Sequence, residues 1–176
     1  MGRQRIISGM RSGLIALMPM LLWTGEASAQ ARATANVPAK ASFLKPLTIT
    51  GLQDLDLGTV LLAGGSWTNA TVGVTRAGAR TCTAPLSCTG AFRAARFSVS
   101  GSNRQTILVT AAPVVMINSA DATKRLTLIP DVPTSVVLPN SGNQGVEFTV
   151  GGSIAVTSAT ADGTYVGTLE VTVDYQ

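Results

Sequence analysis

Asp54 and Asp56, in the stretch QDLDLG, are the two carboxylates that lie closest together in the sequence. On a strand, residues two apart project from the same face, so the pair could form a cation site or an acid pair. Calcium takes six or more oxygen ligands, however, and the next acid along the chain is Asp121. We therefore interpret the pair as a solvated strand entrance and predict no metal and no cofactor.

The sequence contains no histidine, which is the commonest general base and the commonest metal ligand. It has no glycine-rich phosphate loop between a strand and a helix, and no nucleophile elbow. No set of acid, base and nucleophile is discernible. We predict that the protein is not an enzyme.

Every charged residue between Asp56 and Asp121 is an arginine, and every charged residue after Arg125 is acidic. Arg93 and Arg96, which stand near aromatic residues, are candidate contacts for a polyanion such as a glycan phosphate. Both charged sets could equally be solvated faces, or basic and acidic surfaces that meet between neighbouring copies. Arginines so widely spread are a weak footprint for nucleic acid, so we expect no nucleic-acid partner.

The only cysteines, Cys82 and Cys88, lie in the stretch TCTAPLSC. In an oxidising compartment a pair so close in sequence is expected to form a disulfide, here across a loop turned by Pro85. A metal site would need more ligands than two thiolates. We predict a structural disulfide.

The N-terminus has the pattern of a secretory signal peptide: basic residues in MGRQR, an apolar run from Leu14 to Trp23, and a small-x-small site at Ala27–Ala29. The run is too short for a stable membrane-spanning helix. We predict a signal peptide over residues 1–29, an N-terminal strand or arm over 30–46 and one domain over 47–176, with no transmembrane helix after the signal. The expected location is the periplasm, and then the cell surface or the medium.

The exported part reads as short strands separated by glycine and proline turns, with no convincing helix. VEFTVGGSIAVTS is either a hairpin about its two glycines or one strand with a bulge there. About eight such strands predict an all-β fold, an antiparallel β-sandwich of the immunoglobulin-like type.

Both ends of the exported part alternate between apolar and polar residues. From residue 31 to 43 the alternation is long for a strand. Pro38 cannot donate a ladder hydrogen bond, which disfavours a central place in a sheet and favours an edge strand or a flexible arm. The last strand, GTYVGTLEVTVDYQ, has one face meant for a core. The inward row of the arm is Ala33, Ala35, Val37, Ala39, Ala41 and Phe43, and that of the last strand includes Leu169, Val171, Val173 and Tyr175.

A glycine fourteenth from the end, Gly163, and a penultimate tyrosine, Tyr175, flank this alternating strand. The pattern resembles the C-terminal signature of bacterial chaperone–usher pilins. The resemblance implies an immunoglobulin-like sandwich that lacks one strand. A periplasmic chaperone would lend a strand beside residues 168–175, and the N-terminal arm of the next subunit would replace it in the fibre after passage through an outer-membrane usher. Further stretches, including PLTITGLQDLDLGTV, resemble a family of secreted bacterial domains of unknown function.

Two hypotheses of function follow. In the first, the protein is a structural subunit of a fimbria-like adhesive fibre, and residues 31–43 are donated to a neighbouring copy or a related subunit. In the second, the protein is a self-complete secreted sandwich that serves as a binding or cell-envelope module of unknown ligand, and residues 31–43 are its own first strand.

Overall fold

The computed structural model describes residues 32–139 and 145–176, so the predicted signal peptide lies outside the described residues. The chain divides into two units, residues 1–40 and residues 41–176. The described part of the first unit contains no strand. The second unit contains thirteen strands among the described residues: β1 Thr48–Gln53, β2 Thr59–Leu61, β3 Ala70–Val74, β4 Arg80–Cys82, β5 Ser87–Thr89, β6 Ala95–Ser100, β7 Thr106–Ala111, β8 Val114–Asn118, β9 Arg125–Asp131, β10 Ser135–Val137, β11 Val146–Val156, β12 Tyr165–Val166 and β13 Val171–Tyr175.

All pairings between these strands are antiparallel. One large sheet has the order β1-β6-β11-β9-β8-β12, and β3 joins it by pairing with both β11 and β4. A second sheet has the order β10-β7-β13, and β2 and β5 form a separate ladder. No described residue lies in a helix that could cross a membrane. The all-β, antiparallel prediction is confirmed.

The two sheets share one apolar core, as expected of a sandwich. The large sheet supplies Val99, Phe148 and Val150, and the second sheet supplies Ile107 and Val109. Alternation produces this core, because every second residue of a strand points to the same side. The stacked rings of Phe97 and Phe148, with centroids 5.7 Å apart, extend it along the large sheet.

The strands outnumber the eight predicted because long strands are interrupted. Pro113 has no N–H to donate, and it separates β7 from β8. The last strand is interrupted opposite this point: Val171 pairs with Ala111, and Tyr165 pairs with Asn118. β12 and β13 are therefore two parts of one extended segment beside β7 and β8. The predicted alternation is confirmed, since residues 165, 169, 171, 173 and 175 are half-buried and the residues between them are exposed.

The stretch VEFTVGGSIAVTS forms one strand, β11, and not a hairpin. Its first half pairs with β6, and its second half pairs with both β3 and β9. The change of partner occurs at Gly151, where a Cβ would collide with the backbone of residues 74–76. Gly151 thus allows the close approach of the chain at the end of β3.

No strand precedes β1 in the described chain, so the alternation at residues 32–43 does not correspond to a strand of this sandwich. Ala31, at its start, lies outside the described residues. This outcome leaves the inward row of the predicted arm without a place in either sheet, and the first strand of the domain is Thr48–Gln53.

The shared core predicts that replacement of Ile107 by Ala lowers the free energy of unfolding by about 3 kcal/mol, because the fully buried side chain leaves a cavity. Ile129→Ala is the matched control. Its side chain is 52% exposed, and we expect a loss of about 0.5 kcal/mol. Urea unfolding followed by tryptophan fluorescence measures both, and equal losses would contradict the packing described above.

Candidate functional site

The last strand has one paired edge and one open edge. The N–H of Gln176 donates to the carbonyl of Thr106 at 3.1 Å, which places the backbone groups of the even-numbered residues against β7. Those of Val171, Val173 and Tyr175 therefore point to the other side. Because β13 ends its sheet, no strand of the described chain pairs with that side. An open edge of this kind is a template for another strand.

A groove of about 1010 Å³ opens beside the first part of the same segment. Residues 51–62 form one wall, and residues 160–169 form the other. The floor consists of apolar side chains that the strands between the walls provide: Ala95, Phe97, Met116, Leu126, Leu128, Ile154 and Val156.

Ala95 and Phe97 belong to the core shared by the two sheets, and the rest of the floor belongs to a second apolar cluster that the groove leaves incompletely covered. Leu128 and Ile154 are buried, whereas Met116, Leu126 and Leu169 are only partly buried. Each square ångström of apolar surface covered contributes about 25 cal/mol. A ligand that fills this groove with apolar side chains would therefore complete the core.

Asn118 holds the wall of residues 160–169 in place. The side chain is 2% exposed, and its amide donates to the carbonyl of Asp162 at 2.8 Å. Its oxygen accepts the N–H of Ala120 at 2.9 Å, so one buried amide connects the turn after β8 to the groove wall. Gly163 packs directly on it: a Cβ there would lie 2.5 Å from the Asn118 nitrogen, and its φ of 128° suits glycine alone. Gly163, the glycine of the C-terminal sequence pattern, thus allows the wall to pack closely on Asn118.

The turn after β8 is fixed by its own hydrogen bonds. The hydroxyl of Thr123 donates to Asp121 at 2.6 Å and its N–H donates at 2.9 Å, and these two bonds lower the pKa of the Asp121 carboxyl. The N–H of Ser119 donates to the carbonyl of Thr164 at 2.8 Å. The hydrogen-bonded turn after β8 therefore supports the wall of residues 160–169.

The predicted disulfide between Cys82 and Cys88 is present and braces the opposite wall. Cys88 lies in β5, which pairs with β2, and the residue opposite it in β2 is Val60. β2 belongs to the wall of residues 51–62. The disulfide thus connects β4 to the ladder that forms this side of the groove.

Arg80 reinforces the same connection. Its guanidinium donates to the carbonyls of Cys88 at 3.0 Å, Thr89 at 3.1 Å and Gly90 at 2.7 Å. It also lies 4.0 Å from the centroid of the Phe92 ring, a cation–π contact. Neither this role of Arg80 nor that of Asn118 was recognised in the sequence. The sequence does place Asn118 directly after the apolar run VVMI, where a polar residue ends the strand.

Tyr175 fastens the far end of the last strand. Its hydroxyl accepts the N–H of Ser102 at 2.7 Å and donates to the carbonyl of Lys45 at 2.7 Å. The penultimate tyrosine therefore holds β13 to the residues that lead into β1. Leu169, Val171 and Val173, the rest of the predicted inward row, pack against the core shared by the two sheets.

The two arginines predicted to contact a polyanion face acids of the same chain. Arg93 lies 3.6 Å from Asp56, and Arg96 lies 3.5 Å from Glu147. A polyanion would have to compete with both ion pairs, and its binding stays a prediction. Asp56 also accepts the N–H of Gly58 at 2.9 Å. Within the described residues, no three histidine, cysteine or acidic side chains are grouped so as to hold a metal ion.

Comparison with known proteins identifies a family and no individual relative. A family model described as a domain of unknown function (DUF4402) matches residues 47–175, which include every strand of the sandwich. No curated protein and no solved structure matches the chain.

Because Gly163 lies on Asn118, we expect Gly163→Ala to lower the free energy of unfolding by about 2 kcal/mol, through backbone strain and the collision with the amide. Gly64→Ala, at a glycine with nothing within 4 Å of an added Cβ, is the matched control and should change it by about 0.5 kcal/mol at most. Denaturant titration compares the two, and equal effects would show that the wall does not depend on this contact.

Removal of the disulfide in the double variant Cys82→Ala, Cys88→Ala should cost about 2 kcal/mol, the loop-closure value for a ring of this size. Hydrogen exchange followed by mass spectrometry compares the double variant with the unaltered protein. The increase in exchange rate should be larger in residues 59–61 than in residues 146–150, since the disulfide supports β2 and not β11. Addition of a reductant to the double variant serves as the control and should have no effect. Uniformly faster exchange would contradict a role confined to the wall.

Proposed function

The chain belongs to the DUF4402 family of domains of unknown function, and we propose that it is a non-enzymatic structural subunit of a bacterial surface fibre. In this proposal, each subunit receives an extended strand from a neighbour in the groove between residues 51–62 and 160–169. The supporting observation is that an apolar groove and an open strand edge lie along one and the same segment, residues 160–175.

The physical argument is that the groove and the edge require the same ligand. Backbone groups at an open edge accept another strand, and a strand presents side chains to alternate sides. A donated strand would thus form main-chain hydrogen bonds with the last strand while its inward row covers the floor of the groove. Few other ligands satisfy both requirements at once.

The donor in this proposal is the N-terminal arm, residues 30–46, with the inward row that begins at Ala33 and ends at Phe43. The described part of this arm contains no strand, so it takes part in no strand pairing. Its base is fixed to the domain, because the carbonyl of Lys45 accepts the Tyr175 hydroxyl. Its thirteen alternating residues would span about 43 Å when extended. The ten residues of the 160–169 wall would span about 33 Å if fully extended, so the arm is long enough to follow the wall.

Donation from one molecule to the next joins two different surfaces, and such heterologous contacts generate open filaments. A filament on the cell surface requires export, for which residues 1–29 have the signal-peptide pattern. The proposal therefore includes a periplasmic chaperone that covers the groove before assembly and an outer-membrane usher. It also includes a fimbrial, adhesive setting and an immunoglobulin-like, pilin-like topology.

The proposal is tested with the exported protein, produced from the full sequence and purified from the periplasm. We expect linear filaments in negative-stain electron micrographs, whose mass increases with protein concentration. A variant without residues 30–43 should remain monomeric, because it retains the groove but has no strand to donate. Its unfolding curve should match that of the unassembled full chain.

The deletion variant also provides the decisive control. When it is mixed with the full chain, it should terminate filaments, because it can accept a strand and cannot pass one on. Filaments should shorten in proportion to the amount added. A full chain that stays monomeric at every concentration, or a deletion variant that polymerises, would overturn the proposal.

A further inference from the structure

We propose that the groove recognises the N-terminal arm of a second copy of this chain through charge and through one aromatic anchor, Phe43, rather than through a row of large side chains. This inference rests on the proposed function, because it concerns the same groove. It begins with the distribution of charge in the folded domain.

The domain engages most of its arginines internally. Arg76 lies 2.9 Å from Asp131, and Arg93 and Arg96 form ion pairs with Asp56 and Glu147. Arg80 binds three carbonyls and the face of Phe92. The basic middle of the sequence is thus balanced mainly by acids and dipoles of the same molecule.

Apart from Asp121, in the turn after β8, the acids that take no part in these pairs lie along the groove and the last strand. Asp54 and Asp162 line the groove, and the described lining contains no lysine or arginine. Glu170 and Asp174 are exposed on the polar side of the last strand. The path that a donated strand would follow is therefore bordered by negative charge.

The arm has the opposite composition. Residues 30–46 include Arg32, Lys40 and Lys45 and no acidic residue. In the alternating pattern, Arg32 and Lys40 belong to the polar row, which would face outward from the groove towards its charged rims. Complementary charges of this kind steer association and select the partner.

The apolar row of the arm is small and ends in one large residue. Four of its six members are alanines, which cover little apolar surface. Phe43, by contrast, is an aromatic side chain that is 93% exposed. Such a residue is the usual form of a binding hot spot once it enters an apolar pocket. We therefore assign most of the apolar binding to Phe43 and most of the steering to Arg32 and Lys40.

The test measures filament growth of the full chain by light scattering at several salt concentrations. Growth should slow about tenfold between 50 mM and 500 mM NaCl, because the Debye length shrinks to a few ångströms. The double variant Arg32→Glu, Lys40→Glu, which reverses the charge of the arm, should also slow growth about tenfold at low salt. The double variant Asp54→Lys, Asp162→Lys, which reverses the charge of the groove, should have the same effect. Combining all four changes in one chain should restore growth, because the signs are again opposite.

Two matched controls accompany these variants. One is the double variant Arg32→Gln, Lys40→Gln in the arm. The other is the double variant Ser135→Glu, Val137→Glu, which shifts the net charge by the same amount but lies on β10, at the opposite edge of the sheet that contains β13. Only the double variant in the arm should slow filament growth. Phe43→Ala should slow it about tenfold, and Val37→Ala should slow it less.

The outcomes separate this inference from the proposed function. Filaments that form normally but respond less than twofold to salt, charge reversal and Phe43→Ala would overturn the inference and leave the fibre proposal standing. The absence of filaments from the unaltered chain would overturn both. If cross-linking shows the arm in the groove of its own molecule, or if only a strand from another protein fills the groove, the second copy is not the occupant and the inference is wrong.

Discussion

The structure depends on a property of every β-strand: its backbone has two edges, and both carry hydrogen-bonding groups. The segment from Tyr165 to Tyr175 uses one edge to pair with β7 and β8, and no strand of residues 32–139 or 145–176 pairs with its other edge. Its side chains complete part of the core on one face. The inward side chains of this segment therefore stabilise the domain, while the backbone groups of its second edge remain available for hydrogen bonds. The groove lies beside the first part of this segment.

An open groove lined by apolar side chains should tend to close, since closure would remove that surface from water. Local connections prevent it on both sides. Asn118 ties the 160–169 wall to the turn after β8, and Gly163 permits the close approach. On the other side the Cys82–Cys88 disulfide and Arg80 hold the β2-β5 ladder. Short-range contacts thus hold each wall, and the floor between the walls stays partly exposed.

The charges of the chain show how folding changes the meaning of a sequence pattern. In the sequence, a basic middle part is followed by an acidic end, which suggests solvated faces or surfaces that attract neighbouring copies. In the folded domain, Arg76 and Arg96 meet Asp131 and Glu147 of the same chain. Of the acids left unpaired, Asp54 and Asp162 lie in the groove. The place of these acids beside the groove could not be deduced before the strand pairings were known.

Features that depend on neighbours along the chain can be predicted from the residues alone. Alternation with a period of two established the all-β class and the inward row of the last strand, because side chains of a strand point to alternate faces. Two cysteines separated by five residues established the disulfide. Only the strand pairings show which edge of the last strand is paired and how β11 changes partners at Gly151. Only the packing shows that Asn118, the polar end of β8, is buried and supports the groove wall. Alternation encodes the faces of a strand and carries no information about its edges, and the partners at an edge come from distant parts of the chain.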